Sequence, residues 1–421
     1  MKKIARKTVV NQLARYVNQL RKNNDFKIVA VVGSIGKTST KFAVARVLQE
    51  GYKVQFQEGN YNDLVSVPLI FFGLPLPSLT NPLAWAKTFT AIKKMLKQPY
   101  PYDVVVVELG TDGPGQIAEF SKYIQADITV VSAITPEHME FFPTLDDVAS
   151  EEFSVVDFSK KVAVNIDLTD ESYIEPFQNK VFTYGKNPKA DYVLGDIAFE
   201  HDTARFSLVH GGKTLASEEV KAVSIAELYS ASAAAAIGQE LGLSKEQISS
   251  GIKKLVPVSG RMQRLQGINN SLIIDETYNA SPVAVKAALD SLYELKAPQK
   301  IAILGNMNEL GHMSVDAHRE VGEYCEPKQL DLVVTIGPDA NKYLAPAAKR
   351  RGCMVATFTD PFSAGEFVRN RIKQNAIVLA KGSQNGVFAE ESVKMLLRDS
   401  DDEKLLVRQS PEWMAKKKSL V

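Results

Sequence analysis

The stretch Gly33-Ser34-Ile35-Gly36-Lys37-Thr38-Ser39-Thr40 is where residue type and spacing most directly prescribe chemistry. Its glycines let backbone amides turn toward an anion, and a helix start behind them adds partial positive charge. Lys37 is suited to neutralise β- and γ-phosphates, and the Thr38 hydroxyl to coordinate Mg2+, with Gly33, Ser34, Gly36 and Ser39 completing the cradle. The longer phosphate-loop pattern wants glycine where this chain has Val31, so only the shorter G-x-x-G-K-T form fits. The competing reading is a plain glycine turn with an exposed lysine. An apolar run before the loop and a helical run after it argue against that. Glu108 ends another apolar run, DVVVVEL, and an acid at the carboxyl end of a strand near such a loop is well placed for Mg2+. His138, one of five histidines, also follows a strand candidate. Taken alone, a single histidine is more often structural.

These groups need elements to hold them. Residues 28–32, 103–109, 127–133 and 161–165 are continuous apolar runs rich in β-branched side chains. Helical stretches separate them, which predicts a parallel sheet covered on both faces. Residues 192–215 switch to polar–apolar alternation with a Gly211-Gly212 turn, read as a small antiparallel insertion near 190–216. A helix is expected over 226–241. After a boundary near Pro257, five further strand candidates (272–275, 300–304, 331–336, 355–358, 376–379) predict a second, doubly wound domain. The fold class is therefore α/β. A phosphate-loop central domain with a parallel sheet (28–257) is followed by a Rossmann-like C-terminal domain (258–421). One amphipathic helix (1–27), apolar at Val9, Leu13, Val17 and Leu20, precedes both. The charged tail after Asp399, with Lys416-Lys417-Lys418, reads as a solvated end.

Composition narrows the classes. The 421 residues are 45% hydrophobic, with 50 basic against 49 acidic groups and a net charge of +1. That excludes intrinsic disorder and gives no sign of a nucleic-acid partner; small-molecule substrates are expected instead. Two cysteines, Cys325 and Cys353, fit free thiols in the cytoplasm. The most apolar stretch, 64–76, is interrupted by Pro68 and Pro75 and is too short for a membrane span. The stretch 75–97 is expected to contain an amphipathic helix with Trp85, Phe89, Ile92 and Leu96 on one side and Lys87, Lys93 and Lys94 elsewhere. Packing against the N-terminal helix is the favoured reading, and contact with a membrane surface or lipid-linked substrate the less favoured one.

Eight separated segments, in order, resemble the Mur ligase family of ATP-dependent amide-forming enzymes of peptidoglycan precursor synthesis. They are residues 33–41; Gly59-Asn60-Tyr61-Asn62 with Val67-Pro68-Leu69; Glu108-Leu109-Gly110; His138-Met139-Glu140-Phe141; Gly260-Arg261-Met262; residues 275–282; residues 305–311; and Lys381-Gly382-Ser383. The resemblance is nearest to the branch that adds D-alanyl-D-alanine to a UDP-muramoyl-tripeptide. It implies that ATP phosphorylates a substrate carboxylate and that an amine then attacks the acyl phosphate. In that scheme Lys37 stabilises the transferring phosphoryl group, Thr38 and Glu108 hold one Mg2+, and His138 holds a second. Asn62 lies near the phosphates and Arg261 reaches the nucleotide on domain closure. Asp275 binds the ribose, Tyr278 and Asn279 flank the nucleoside, and Lys381 and Ser383 face the amine substrate.

Three departures stand out. The carbamylated lysine usual in the branch is absent from 148–153, and Glu152, or else Glu151, would supply the carboxylate. The family's His-Asn…Asn nucleotide-contacting helix reads Ala226-Glu227-Leu228-Tyr229-Ser230, and the aspartate of its Gly-Asp-Met motif is Asn306. Only about 27 residues precede the first strand, so the family's N-terminal UDP-sugar domain of ~100 residues is expected to be missing. The alternatives are a folylpolyglutamate synthetase-like ligase, a ligase for another cell-wall intermediate, and a nucleotide-binding scaffold without activity. An amidating partner of a glutaminase would need a four-cysteine zinc element, which two cysteines cannot supply.

Overall fold

The computed structural model describes residues 2–59, 61–78, 80–200 and 203–418, so Asn60 lies outside the described residues. Lys27–Val32 is the heart of a nine-stranded sheet. It pairs in parallel with Val104–Glu108 on one side and Ala126–Val131 on the other. Val31 is level with both Glu108 and Val130, so the register alone sets Glu108 beside the start of the phosphate loop. Because side chains alternate along a strand, Ile28, Ala30 and Val32 enter one core while Val29 and Val31 enter another. The N-terminal helix Lys2–Asn23 and the helix Pro82–Met95 cover the first core. Lys37–Leu48 and Ile225–Glu240 cover the second, where the alanine run of the latter lets the two helices pack closely.

The antiparallel segment is not a separate insertion. Tyr192–Glu200 pairs in parallel with Val181–Gly185, so it extends the main sheet. Thr203–His210 and Lys213–Val220 then complete an antiparallel edge that runs to Val220, past the expected 216. Among the other expected strands, 161–165 is found as Ser159–Asn165. All five strands of the second domain form within two residues of their expected limits. Gln263–Gln266 adds an antiparallel edge, giving the order Gln263–Gln266, Leu272–Glu276, Ile377–Lys381, Lys300–Gly305, Leu332–Ile336, Val355–Phe358.

Two peripheral expectations resolve differently. Trp85 and Ile92 are buried, and the Phe89 ring lies 6.0 Å from that of Tyr16, so the helix Pro82–Met95 does pack against the N-terminal helix. The tail, by contrast, is not a solvated end throughout. Lys417, in the helix Pro411–Lys418, is buried and pairs with Glu390 at 2.8 Å and Glu391 at 2.6 Å. Its local sequence hides these partners because they lie elsewhere in the chain. Cys325 and Cys353 are free and buried. No helix among the described residues is long and apolar enough to cross a membrane.

Candidate active site

The phosphate loop occupies the turn between Lys27–Val32 and Lys37–Leu48. Gly33 has φ +119°, and a Cβ there would meet Ser132 Oγ at 2.6 Å and the Ala133 backbone at 2.9 Å, so only glycine fits. Ser34 is buried. Its amide donates to Ala133 O (2.9 Å) and its hydroxyl accepts from Thr135 N (2.7 Å), so its side chain braces the loop rather than facing an anion. Gly36, left-handed at φ +81°, starts the helix, and Thr38 and Ser39 follow on a cavity wall.

Lys37 folds back on its own loop and donates to the carbonyls of Gly33 and Ser34, with Glu137 Oε2 at 3.4 Å. Burial pulls its pKa down, but Glu137, Glu152 and Glu108 together hold it above the ordinary lysine value. The lysine therefore stays charged inside a carboxylate cage, ready for a ligand that brings more negative charge.

The helix Leu145–Phe153 separates the two adjacent glutamates. Glu151 accepts from Thr111 Oγ1 (3.0 Å), Gly115 N (2.6 Å) and Ile117 N (2.7 Å), and so pins the 111–117 loop. Glu152 points the other way, with Oε2 accepting from Gly33 N at 2.8 Å. Burial pushes its carboxyl up to about 7, against the opposing pull of Lys37 and the Gly33 amide. Of the two candidates, Glu152 is therefore the one at the phosphate loop.

Glu108 is buried. Its Oε1 accepts from Asn62 Nδ2 at 3.3 Å, while Oε2 has no hydrogen-bond partner among the described residues and lies 3.5 Å from Lys41 Nζ. Gly110 is what lets Asn62 approach, since a Cβ there would meet the Asn62 amide at 2.8 Å. Burial lowers the pKa of Lys41 despite Glu108. The sequence motifs give Lys41 no role; a lysine one turn beyond Lys37, directly ahead of the apolar run Phe42-Ala43-Val44-Ala45, is the signal that points to it. An orphaned carboxylate oxygen at the strand end level with the start of a phosphate loop suits Mg2+, which takes one or two carboxylates and completes its shell with phosphate and water. Among the described residues, no three His, Cys, Asp or Glu side chains converge to hold a metal by themselves.

His138, with φ +53°, reaches across to the second domain, where its Nδ1 lies 2.8 Å from Glu309 Oε2. Burial would lower its pKa, but Glu309 and Glu137 hold it above the ordinary value. It is therefore occupied as half of an inter-domain ion pair. Nearby, Glu140 N donates to Glu309 O at 3.3 Å and Met313 packs on Met139, Phe142 and Val148.

A cavity of about 420 Å³ opens beside the loop. Thr38, Ser39, Phe42 and Arg46 form one wall, Glu227 and Ser230 another, and residues 255–259 with Arg261 and Tyr278 close it from the hinge and second domain. The Arg261 guanidinium sits 4.2 Å over the Tyr278 ring, and its buried Nε has no hydrogen-bond partner among the described residues. The helix that departs from the family pattern thus does line the cavity, through Glu227 and Ser230.

The remaining expected residues sit deeper. Asp275 is fully buried, with Oδ1 accepting from Thr277 N and Oγ1 and with Oδ2 unpartnered among the described residues, and burial pushes it up to about 6. It does not line the cavity. Lys381 and Ser383, expected to face a substrate, are also buried. Lys381 donates to Glu276 (3.2 Å) and to the carbonyl of Asn279 (3.0 Å), and burial lowers its pKa. Ser383 donates to Ala280 O and accepts from Asn308 N. Their polar atoms are engaged by the 276–280 and 306–308 loops, so they shape those loops instead of presenting groups to a ligand.

Comparison with known proteins covers both domains. The model of the Mur ligase middle domain matches residues 31–238, and that of the Mur ligase, glutamate ligase domain matches 260–384. The UDP-N-acetylmuramoyl-tripeptide--D-alanyl-D-alanine ligase of Bacillus subtilis is 26% identical over 395 residues, spanning 93% of this chain and 79% of the relative. The Haemophilus influenzae enzyme of the same name is 27% identical over 391 residues, 89% of this chain and 77% of its own. Among solved structures, MurF ligase from Thermotoga maritima in complex with ADP superposes with a TM-score of 0.76 at 23% identity, covering 94% of this chain and 84% of that one. Mycobacterium tuberculosis folylpolyglutamate synthase, complexed with ADP and AMPPCP, superposes at 0.65 and 16% identity, covering 92% and 94%. Matched in both of its α/β bodies and in the family's order, the chain belongs to the Mur ligase family.

Proposed function

We propose that the chain is an ATP-dependent carboxylate–amine ligase that joins D-alanyl-D-alanine to a UDP-muramoyl-tripeptide, the activity its curated relatives are named for. The observation that carries this reading is the cavity, whose walls run from the phosphate-loop helix to the hinge and Tyr278. A nucleotide held there touches both domains, so their closure would shield an activated carboxyl from water. The Gly36 amide and Ser39 would cradle the phosphates, while the amides of Gly33 and Ser34, held by Glu152 and the Ala133 carbonyl, fix the turn. Lys37 leaves the loop carbonyls and follows the transferring phosphoryl group. Thr38 and Glu108 would hold Mg2+, with Asn62 orienting the carboxylate. The ion would spread the charge of the transferring phosphoryl group. Glu152 would take the place of the carbamylated lysine, and His138, now paired with Glu309, would be the ligand for a second ion. Arg261, Tyr278 and Asn279 hold the nucleoside, and Asp275 reaches the ribose only if the 276–280 loop shifts. Lys381 and Ser383 position that loop. The site of action is the cytoplasm, where the nucleotide precursor is soluble.

Phosphate release from ATP tests this. It should require UDP-muramoyl-tripeptide and D-alanyl-D-alanine together, and fall away with D-alanine alone. Turnover of folate with glutamate in their place would favour the folylpolyglutamate reading. Release that ignores both substrates would overturn ligation. For Glu152, the Glu152→Gln protein should lose most of the extra melting temperature that Mg2+ adds to ADP binding. An unchanged increment would reject its role at the metal.

A further inference from the structure

The helix Pro82–Met95 spends only one side on packing. Trp85 and Ile92 are buried and Phe89 meets Tyr16, all toward the sheet. At 100° per residue, Leu83, Lys87, Thr90 and Lys94 line up on the opposite side, with Lys97 continuing the line beyond the helix. All are exposed, and Leu83 is 76% exposed, the most exposed large apolar side chain described. Leu76, 41% exposed, lies in the loop just before it. The adjoining N-terminal helix turns Lys7, Arg15 and Lys22 outward in the same way. None of these six cations pairs with a carboxylate among the described residues. Residues 1–24 and 64–102 hold eleven basic residues and no acidic one, in a chain whose net charge is +1, so the rest of the protein is net acidic.

We propose that this outward face of the two helices is a docking surface for an anionic lipid membrane. Charge complementarity favours a polyanionic occupant, and the shape is a flat helical stripe rather than a cleft. The leucines select among polyanions: an exposed leucine in line with lysines gains nothing from nucleic acid or free phosphate but gains by entering the acyl boundary of a bilayer. The face lies across the main sheet from the helix Lys37–Leu48, so docking leaves the nucleotide cavity open. Attraction would come from the lysines and arginines, each contributing near the surface and each screened by salt.

Sedimentation of the full chain with vesicles tests this. Phosphatidylglycerol-containing vesicles should carry the protein down at low salt and release it at high salt, while pure phosphatidylcholine vesicles leave it in solution. Replacing Lys87, Lys94 and Lys97 together by glutamine should weaken partitioning about a hundredfold. Leu83→Ser should weaken it several-fold, and ADP-dependent melting should be untouched in both proteins. Wild-type protein left in solution with anionic vesicles at low salt would overturn the proposal, as would a triple variant that binds like wild type. Tighter binding to duplex DNA than to the vesicles, unaffected by Leu83→Ser, would overturn it too, by marking a generic polyanion surface.

Discussion

Replacing Lys417 by methionine should destabilise the second domain far more than a lysine run near a chain's end suggests. Lys417 Nζ lies 2.8 Å from Glu390 and 2.6 Å from Glu391, and all three side chains are at most 3% exposed. Arg408 takes Glu390 through two contacts of 2.8 and 2.6 Å. The cluster thus has two cations for two carboxylates. Methionine keeps most of the packing volume and deletes one charge. Glu390 would retain Arg408, but Glu391 would keep only the Gln409 amide at 3.4 Å. Leaving a buried carboxylate unpaired costs about 3–5 kcal/mol, which for a domain of this size lowers the midpoint by roughly 10 °C. Trp413 reports on the site directly, because its ring lies 6.1 Å edge-on from that of Phe388; Trp85, the other tryptophan, can be changed to phenylalanine to isolate it. Urea titration followed by Trp413 fluorescence should show the loss, and adding Glu391→Gln should recover most of it. ADP affinity should also fall, because Arg408 donates to the carbonyls of Thr277 and Tyr278 and Tyr278 lines the cavity. A loss below about 1 kcal/mol, the range of exposed pairs, would refute the reasoning and return the tail to solvent.

The two loop glycines should separate cleanly. Gly33→Ala meets Ser132 and Ala133 and an unfavourable φ, so it should abolish the melting-temperature rise that ADP gives. Gly36→Ala has its nearest neighbour at 3.8 Å and should cost only about 1–2 kcal/mol of backbone strain while still binding ADP. Equal losses at the two positions would contradict the clash. Asp275 makes a pH prediction: burial pushes its carboxyl up to about 6 in the folded protein, above the ordinary aspartate value of 3.8 that it has when unfolded. A raised carboxyl favours the folded state below the lower value, and that advantage is lost as pH climbs through the higher one. Wild type should therefore lose on the order of 2–3 kcal/mol between pH 4 and pH 7 that Asp275→Asn does not; denaturation midpoints for both proteins across that range decide it, and parallel profiles would count against the buried carboxyl.

What the sequence reveals here depends on how far a side chain's partners lie along the chain. The strands Lys27–Val32 and Val104–Glu108 are buried on both faces, so their residues had to be apolar throughout, and that shows in any short window. The phosphate loop is equally local, because its glycines, lysine and threonine act within one turn. Glu151 and Glu152 mark the limit. They are chemically identical neighbours, and what separates them is about 100° of helix rotation. That rotation sends one to the amides of Gly115 and Ile117 and the other to Gly33, a distinction no local pattern carries. Lys381 and Lys417 fail for the same reason in opposite directions. From sequence one reads as a ligand contact and the other as a solvated charge, yet both are buried cations whose carboxylates come from other segments, Glu276 for the first and Glu390 with Glu391 for the second. A lysine's four-carbon stem is compatible with either environment, so its role is set by whether a carboxylate waits at the far end, and here it does for both.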